Sequence, residues 1–577
     1  MNGRPYRRKR KRNFSPAIGL DSIATRTPRY SHVVGFSDDH LADLQPADSD
    51  VPEQEVSPQR TNETDQAYVG RTDILGDVSF DESLVQGQGQ RPGPPPGSSI
   101  ADSEVLTIHK AFDLPSPVHR DELVQNFMES CWPWTPVVDM AWLADDDGQP
   151  VSLLLLQAIL VAGSRVATEN AWPASETYFQ KAKALFFYQH EANPIIAVVT
   201  AIVLQWWSPM GPEQVSQSNS GFWLHIATGL AYQLGLHKEP STGPLSALRR
   251  RIWWSLVCRD ILISVGVGRP RTINLDDSDV LPPTAEDFHT ADTGARLFVA
   301  YVSICQILGD VVQSRRRRSL SRTEKQTFEA RLYQWVRELQ PDLCLFEGTD
   351  VKVLRPYDVG SRQLHVVYFV VVIILASSET SKAPSTASLV AASFIAGIHA
   401  EFASHDDVRR LGPIFAFHVL TAALSLLKGF KYSLLASCAK QDFTKIYRVL
   451  QRLAEKWGSA RGLLTPLSTA RREAEAHLTL DSMPPIMSDS MRPLFRECGH
   501  STLCPIWDLF WPAVEVPVTD TLASQEHVAP IETTSLALEP AFPMDNETSW
   551  DTFMEEYPIS FEGFSSVDQY WNELMGS

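Results

Sequence analysis

From about residue 115 the chain alternates apolar and polar positions with the period of a helix. Asp121 to Met128 opens an amphipathic segment, and Leu153 to Val166 is a strongly apolar one. Tyr178, Phe179, Ala182 and Phe186 recur at i, i+1, i+4 and i+8, with Gln180, Lys181 and Lys183 on the other face. Asn193-Pro194 predicts a helix start, because Asn caps free N–H groups and Pro suits the first helical position. That helix runs to Trp207 and stops at Ser208-Pro209; the short link before it predicts antiparallel packing on its predecessor. Trp223, Ile226, Leu230 and Leu234 form the next stripe, closed by a left-handed Gly235 with Leu236 folding back. Trp253, Val257, Ile261 and Ser264 share one face of a further helix, with Trp254 beside them. Ser321-x-x-Glu324 is a capping box, followed by Phe328, Leu332, Trp335 and Leu339. No sustained period-2 alternation bounded by hairpin turns occurs. The body, residues 115–510, is expected to be an all-α domain of packed antiparallel helix pairs. Its strongest apolar run, Val366 to Ala376, falls short of the ~20 residues of a membrane span. A core helix and no membrane partner are the expectation.

The flanks differ in composition. Residues 13–114 are expected to be a disordered linker, rich up to residue 104 in Asp, Glu, Ser, Pro and Gln and carrying the low-complexity stretch 87–99. Gly87, Gly89 and Gly93 loosely resemble a phosphate loop, but neither a strand nor a helix frames them. The net charge of −18 argues against a surface that embraces nucleic acid throughout. It hides a basic head, residues 1–12, with Arg4, Arg7, Arg8, Lys9, Arg10, Lys11 and Arg12. Two uses are open for it: a nuclear-import signal recognised by an import receptor, or phosphate contact. Seven neutralised phosphates would give a salt slope of about −6. Arg315 to Arg318 make a second basic run, read as a solvated loop or an auxiliary targeting signal.

Residues 511–577 carry thirteen acids and neither Lys nor Arg. Trp550, Phe553, Met554 and Tyr557 fall at i, i+3, i+4 and i+7, and Val567, Tyr570, Trp571, Leu574 and Met575 repeat the pattern, both interleaved with acids. Acids keep such aromatics solvated until a partner groove receives them, as in acidic activation segments that bind transcriptional coactivators. Docking onto the protein's own body is the other reading, and autoinhibition would combine the two.

The seven cysteines run from Cys131 to Cys504, mostly in apolar stretches, which fits a reducing compartment. Cys498, His500 and Cys504 are the one compact Cys/His cluster, and they lack an obvious fourth ligand. No metal site and no catalytic residue is expected, because no zincin, phosphate-loop, nucleophile-elbow or framed dinucleotide signature appears. His225 and His237 read as structural, the tryptophans as core. An aromatic-lined helical body has room for a small apolar effector.

Residues 221–288 carry five ordered elements: Ala231 to His237 (A-x-x-L-G-L-H), Arg249 to Trp254 (R-R-R-x-W-W), Arg259-Asp260, Gly268 to Pro270, and Asp277 to Pro282 (D-x-D-V-x-P). The stretch resembles the middle homology region of fungal binuclear zinc-cluster (six-cysteine) transcription factors. The likeness extends over roughly 115–375. With Tyr68-Val69-Gly70-Arg71 upstream, it is most similar to the cutinase transcription factor group. The resemblance implies a nuclear regulator of metabolic or secondary-metabolite genes in a fungus, an activator that binds DNA and often dimerises. Family members begin with six cysteines holding two zinc ions that present a helix to the major groove. In this sequence the first cysteine is Cys131, so no zinc cofactor is expected in the chain. DNA contact would then be direct only if an upstream cluster precedes it; otherwise the protein would be a co-regulator tethered through a DNA-binding partner. Asp260, within the amphipathic run, needs a cation if buried. Arg250, Arg251 and Arg269 are the candidates, and a pair with Arg269 pinning the turn after the helix is the expectation.

Overall fold

Local chemistry starts several of the helices. The Asn193 side chain accepts from the N–H groups of Ile195 and Ile196, and Ser321 and Glu324 close a reciprocal capping box. The computed structural model describes residues 68, 100–143, 151–317, 320–349, 351–377, 385–476, 484, 486–499 and 501–511. Their regular structure is helical apart from one short antiparallel pair, Phe346–Glu347 with Val353–Leu354.

The first half of the body comprises α1 (Ile100–Ile108), α2 (Pro117–Ser130), α3 (Leu153–Val166), α4 (Ala174–Phe187), α5 (Pro194–Val203) and α6 (Ser220–Gln233). All of α3 but Leu153 is buried, so it is apolar on every side and serves as a hub. The expected antiparallel pairing of α4 with α5 does not form. Both turn their apolar faces to α3 instead, because α3 offers more apolar surface than either offers the other. The α6 stripe is also rotated from the expected one. Trp223, Leu224, Ala227 and Ala231 face the core, while Ile226, Leu230 and Leu234 are half-buried; small residues allow the closer approach. Gly235 closes α6 at φ +64, and the Leu236 N–H bonds to Ala231 O.

The second half follows: α7 (Ser246–Val267), α8 (Thr293–Arg317), α9 (Arg322–Glu338), α10 (Val359–Ala376), α11 (Thr386–Ser404), α12 (Phe415–Gly429), α13 (Ala436–Lys456), α14 (Gly458–Ala476) and α15 (Trp507–Phe510). Neighbours in sequence pack together, α7 with α8, α10 with α11, and α12 with α13 and α14, as α2 does with α3 and α5 with α6 in the first half. By length and composition α8, α10 and α11 could cross a membrane. Their apolar windows are 67%, 89% and 83% buried against other helices, so that surface is spent on the core. One continuous apolar cluster joins both halves.

The edges of the body lie beyond the expected ones. Inside the expected linker 13–114, α1 buries Leu106 with Ala111, Leu154, Ala184 and Leu185 in a small second core. Tyr68 also docks: its N–H bonds to Gln233 O at 2.7 Å and its ring covers Gly235, where a Cβ would lie 3.0 Å from the Tyr68 Cβ. Trp511, placed at the start of the tail, stacks on Trp507 at 4.6 Å. Residues 13–67 and 69–99 of the linker, and the tail from 512, lie outside the described residues.

Candidate functional site

The five elements of the 221–288 stretch converge around α7. Asp260, 1% exposed, accepts from the backbone N–H groups of Thr272 (2.8 Å) and Ile273 (3.1 Å) and from Arg271 Nε (3.4 Å). The expected pair with Arg269 is therefore corrected. Gly268, at φ +68, turns the chain so that Arg269 points outward and donates to Pro212 O, and the next cation returns to the carboxylate. Arg250 bonds both Glu239 and Asp287, and Arg251 lies 5.2 Å from the Phe288 ring. Glu239 N–H bonds to Asp279 Oδ1, Leu281 N–H to Glu239 Oε2, and Trp254 Nε1 donates to Leu281 O. The stretch is thus a structural clamp that straps residues 268–288 across α7. His225 joins it through Thr272, and His237 packs among Tyr68, Tyr232 and Trp253.

A second pattern was not legible beforehand. Several cations take carbonyls at helix C-termini, where the exposed C=O groups carry partial negative charge. Arg249 bonds Leu234 O after α6, and Arg409 bonds Val166 O at the end of α3. Arg315 takes Ile374 O and Ser377 O at the end of α10, and Arg316 takes Ser264 O and Arg269 O around the end of α7. Arg315 and Arg316 are therefore fold-stabilising caps and no part of a solvated loop; Arg317 is exposed and Arg318 lies outside the described residues. Arg165 and Lys456 exchange such bonds, each donating to the other's carbonyl, which ties α3 to α13. The Arg165 guanidinium lies 4.5 Å from the Trp457 ring centroid and 5.3 Å from that of Trp207. Burial lowers its pKa to about 10 and pushes the Lys456 ammonium well below its ordinary value.

Arg259 departs from this pattern. Its Nε donates to Gln205 Oε1 at 2.9 Å and its Nη2 lies 3.5 Å from Gln205 O. Nη1 has no partner, and no carboxylate among the described residues reaches the guanidinium. It stands between two spaces. On one side is a cleft of about 140 Å³ walled by Leu262, Ile263, Phe417, Leu420 and Leu463. On the other is an inner pocket of about 40 Å³ against Trp134, Trp206, Tyr301 and His418. Leu262 and Ile414 border both spaces as Arg259 does. Burial lowers the Arg259 pKa and holds His418 at about 3, a neutral ring whose two nitrogens lack protein partners.

Of the other expected site residues, Arg7, Arg8, Lys9, Arg10, Lys11 and Arg12 lie outside the described residues, as do Trp550, Phe553, Met554, Tyr557, Tyr570, Trp571 and Leu574. Cys498 and Cys504 are buried free thiols held protonated by desolvation, and His500 is outside the described residues. No group of three or more His, Cys, Asp or Glu among the described residues is arranged to hold a metal ion.

Residues 118–337 match the fungal specific transcription factor domain. The chain is 30% identical to the acetamidase regulatory protein of Emericella nidulans over 67% of its own length and 52% of the relative's. It is 29% identical to cutinase transcription factor 1 alpha of Fusarium vanettenii, over 57% and 40% of the two lengths. It is 23% identical to the fusaric acid cluster transcription factor FUB12 of Gibberella fujikuroi, over 44% and 40%. The chain spans about half the length of the first of these. No solved structure matches it.

Proposed function

With residues 118–337 a fungal specific transcription factor domain, we propose that the protein is a transcription regulator, and not an enzyme, of metabolic or secondary-metabolite genes in a fungus. The observation that carries this reading is the set of relatives, which are regulators of acetamidase, cutinase and fusaric acid genes by their names. The helical body is its regulatory domain. The basic residues Arg7 to Arg12 deliver it to the nucleus through an import receptor, and Trp550, Phe553, Met554, Tyr557, Tyr570, Trp571 and Leu574 engage coactivators as short helices formed on binding. Fusing residues 511–577 to an unrelated DNA-binding module tests the effector half. Reporter activation that falls when Trp550 and Phe553 become Ala is expected; a silent fusion refutes an activation tail.

A second reading is a co-regulator brought to promoters by a DNA-binding partner; the seven cysteines of the chain itself run from Cys131 to Cys504, and five of them are buried in the body. Mapping the native transcript upstream of the Met1 codon separates the two readings. An in-frame segment with six suitably spaced cysteines would make the protein its own DNA reader; a transcript without one leaves the tethered form.

A further inference from the structure

An unpaired guanidinium deep in a helical body is costly, since its desolvation is repaid only by an opposing charge or a full set of acceptors. Two other cations within the body are met by helix-terminal carbonyls, Arg316 by two and Lys456 by two. Arg259 has one side-chain amide oxygen at good distance, one long contact, and an Nη1 left over. It nonetheless retains accessible surface, and the spaces it lines are the cleft and the inner pocket. Gln205, its main partner, has a buried Nε2 without an acceptor, so donors outnumber acceptors at this point. Most of the wall is aliphatic and aromatic, Leu262 and Ile263 from α7, Phe417 and Leu420 from α12 and Leu463 from α14, with Ser208, Asn219 and Ser459 at its edges. Arg269 also lines the cleft, at its exposed side, where it is engaged with Pro212 O. Arg259, fixed beneath apolar walls, is the complement of one negative group on an apolar body.

We propose that this cleft binds a small organic monocarboxylate, its carboxylate paired with Arg259 and its hydrocarbon part against Leu262, Ile263, Phe417 and Leu463. The volume sets the size: a cavity of about 150 Å³ accommodates a benzene-sized group. The ligand is therefore an acid with a body of roughly six carbons, straight or aromatic. An amine would meet the guanidinium. Binding at this site would stiffen the contact between α7, α12 and α14. It would also bear on the Asp260 clamp, since Arg259 and Asp260 are adjacent on α7. The assignment does not rest on the regulator reading, because it concerns binding to the isolated protein.

Calorimetric titration of the full chain at neutral pH with hexanoate and benzoate tests it, with hexanol and benzamide as neutral counterparts. The expected result is one saturable site per chain for the acids, with the neutral molecules at least ~10-fold weaker, the margin of a charge-assisted pair over a neutral contact. Arg259→Leu should abolish the preference and Arg259→Lys should keep part of it. If Arg259→Leu does not fold, Leu463→Trp decides. It fills the cleft from α14 without touching the bonds of Arg259, and should remove acid binding while leaving the helical circular dichroism unchanged. Acids that bind no better than their neutral counterparts overturn the proposal. So does acid binding that survives Leu463→Trp, or the absence of saturable binding up to about 10 mM, weaker than the weakest useful small-molecule affinities.

Discussion

Replacing Asp260 by Ala probes the clamp at its centre. The carboxylate is buried and accepts two backbone N–H groups and one arginine. Truncation leaves the Thr272 and Ile273 amides and the Arg271 guanidinium without that acceptor. A hydrogen bond to a charged group contributes about 1.5–3 kcal/mol, so the two amides alone put the loss at about 3–6 kcal/mol. Breaking a buried pair from one side costs about 3–5 kcal/mol, within that range. Arg271→Ala removes only the 3.4 Å contact of a side chain that is 14% exposed, and should cost about 1 kcal/mol. Arg269→Ala removes a bond to Pro212 O from an exposed side chain, and should cost at most about 1 kcal/mol. Urea unfolding followed by circular dichroism would rank them Asp260 far above Arg271, with Arg269 last. Limited proteolysis of Asp260→Ala should open residues 268–282 first, since their anchor is gone. An Asp260→Ala loss below about 1 kcal/mol, or an Arg269→Ala loss equal to it, would refute the reasoning.

Other outcomes follow from the same contacts. Arg315→Ala and Arg316→Ala should each lower stability by about 1–2 kcal/mol through lost helix-end caps, whereas Arg317→Ala, exposed, should stay within about 0.5 kcal/mol in the same urea assay. Gly397→Ala places a Cβ 2.2 Å from Leu503 O, so the C-terminal segment must shift; a loss of about 1–3 kcal/mol is expected from the urea midpoint. His365 and His399, at about 4, and His418, at about 3, stay neutral in the folded protein, while the unfolded chain protonates them near 6.5. The unfolded state then binds more protons between those limits. Stability is full above about 6.5 and falls as pH drops toward 4, by about 1.4 kcal/mol per pH unit for each ring. His418→Phe, which forfeits no protein hydrogen bond, should flatten that slope, and a slope unchanged by it would count against His418 as a contributor.

What was legible in the sequence was what neighbouring residues decide among themselves. The all-α class, the Asn193 and Ser321 caps, the Gly235 closure and the limits of α3 all follow from periodicity and from side chains within four positions. The likeness of residues 221–288 was legible as well, because five ordered elements in one short stretch are hard to obtain by chance. Tertiary structure decided the partners. Asp260 met Arg271 and not Arg269 because the left-handed Gly268 sets which cation returns to α7, and spacing alone does not contain that turn. Ile226 and Leu230 gave up the core face to Ala227 and Ala231 because closeness of packing outweighed side-chain size. Arg315 and Arg316 look like a solvated basic run until the ends of α10 and α7 arrive beside them, from 59 and 52 residues away in the chain. The Arg259 site lies deepest in that category. Its walls come from three helices spread between residues 246 and 476, and a guanidinium lacking a carboxylate can be recognised only once every neighbour is in place.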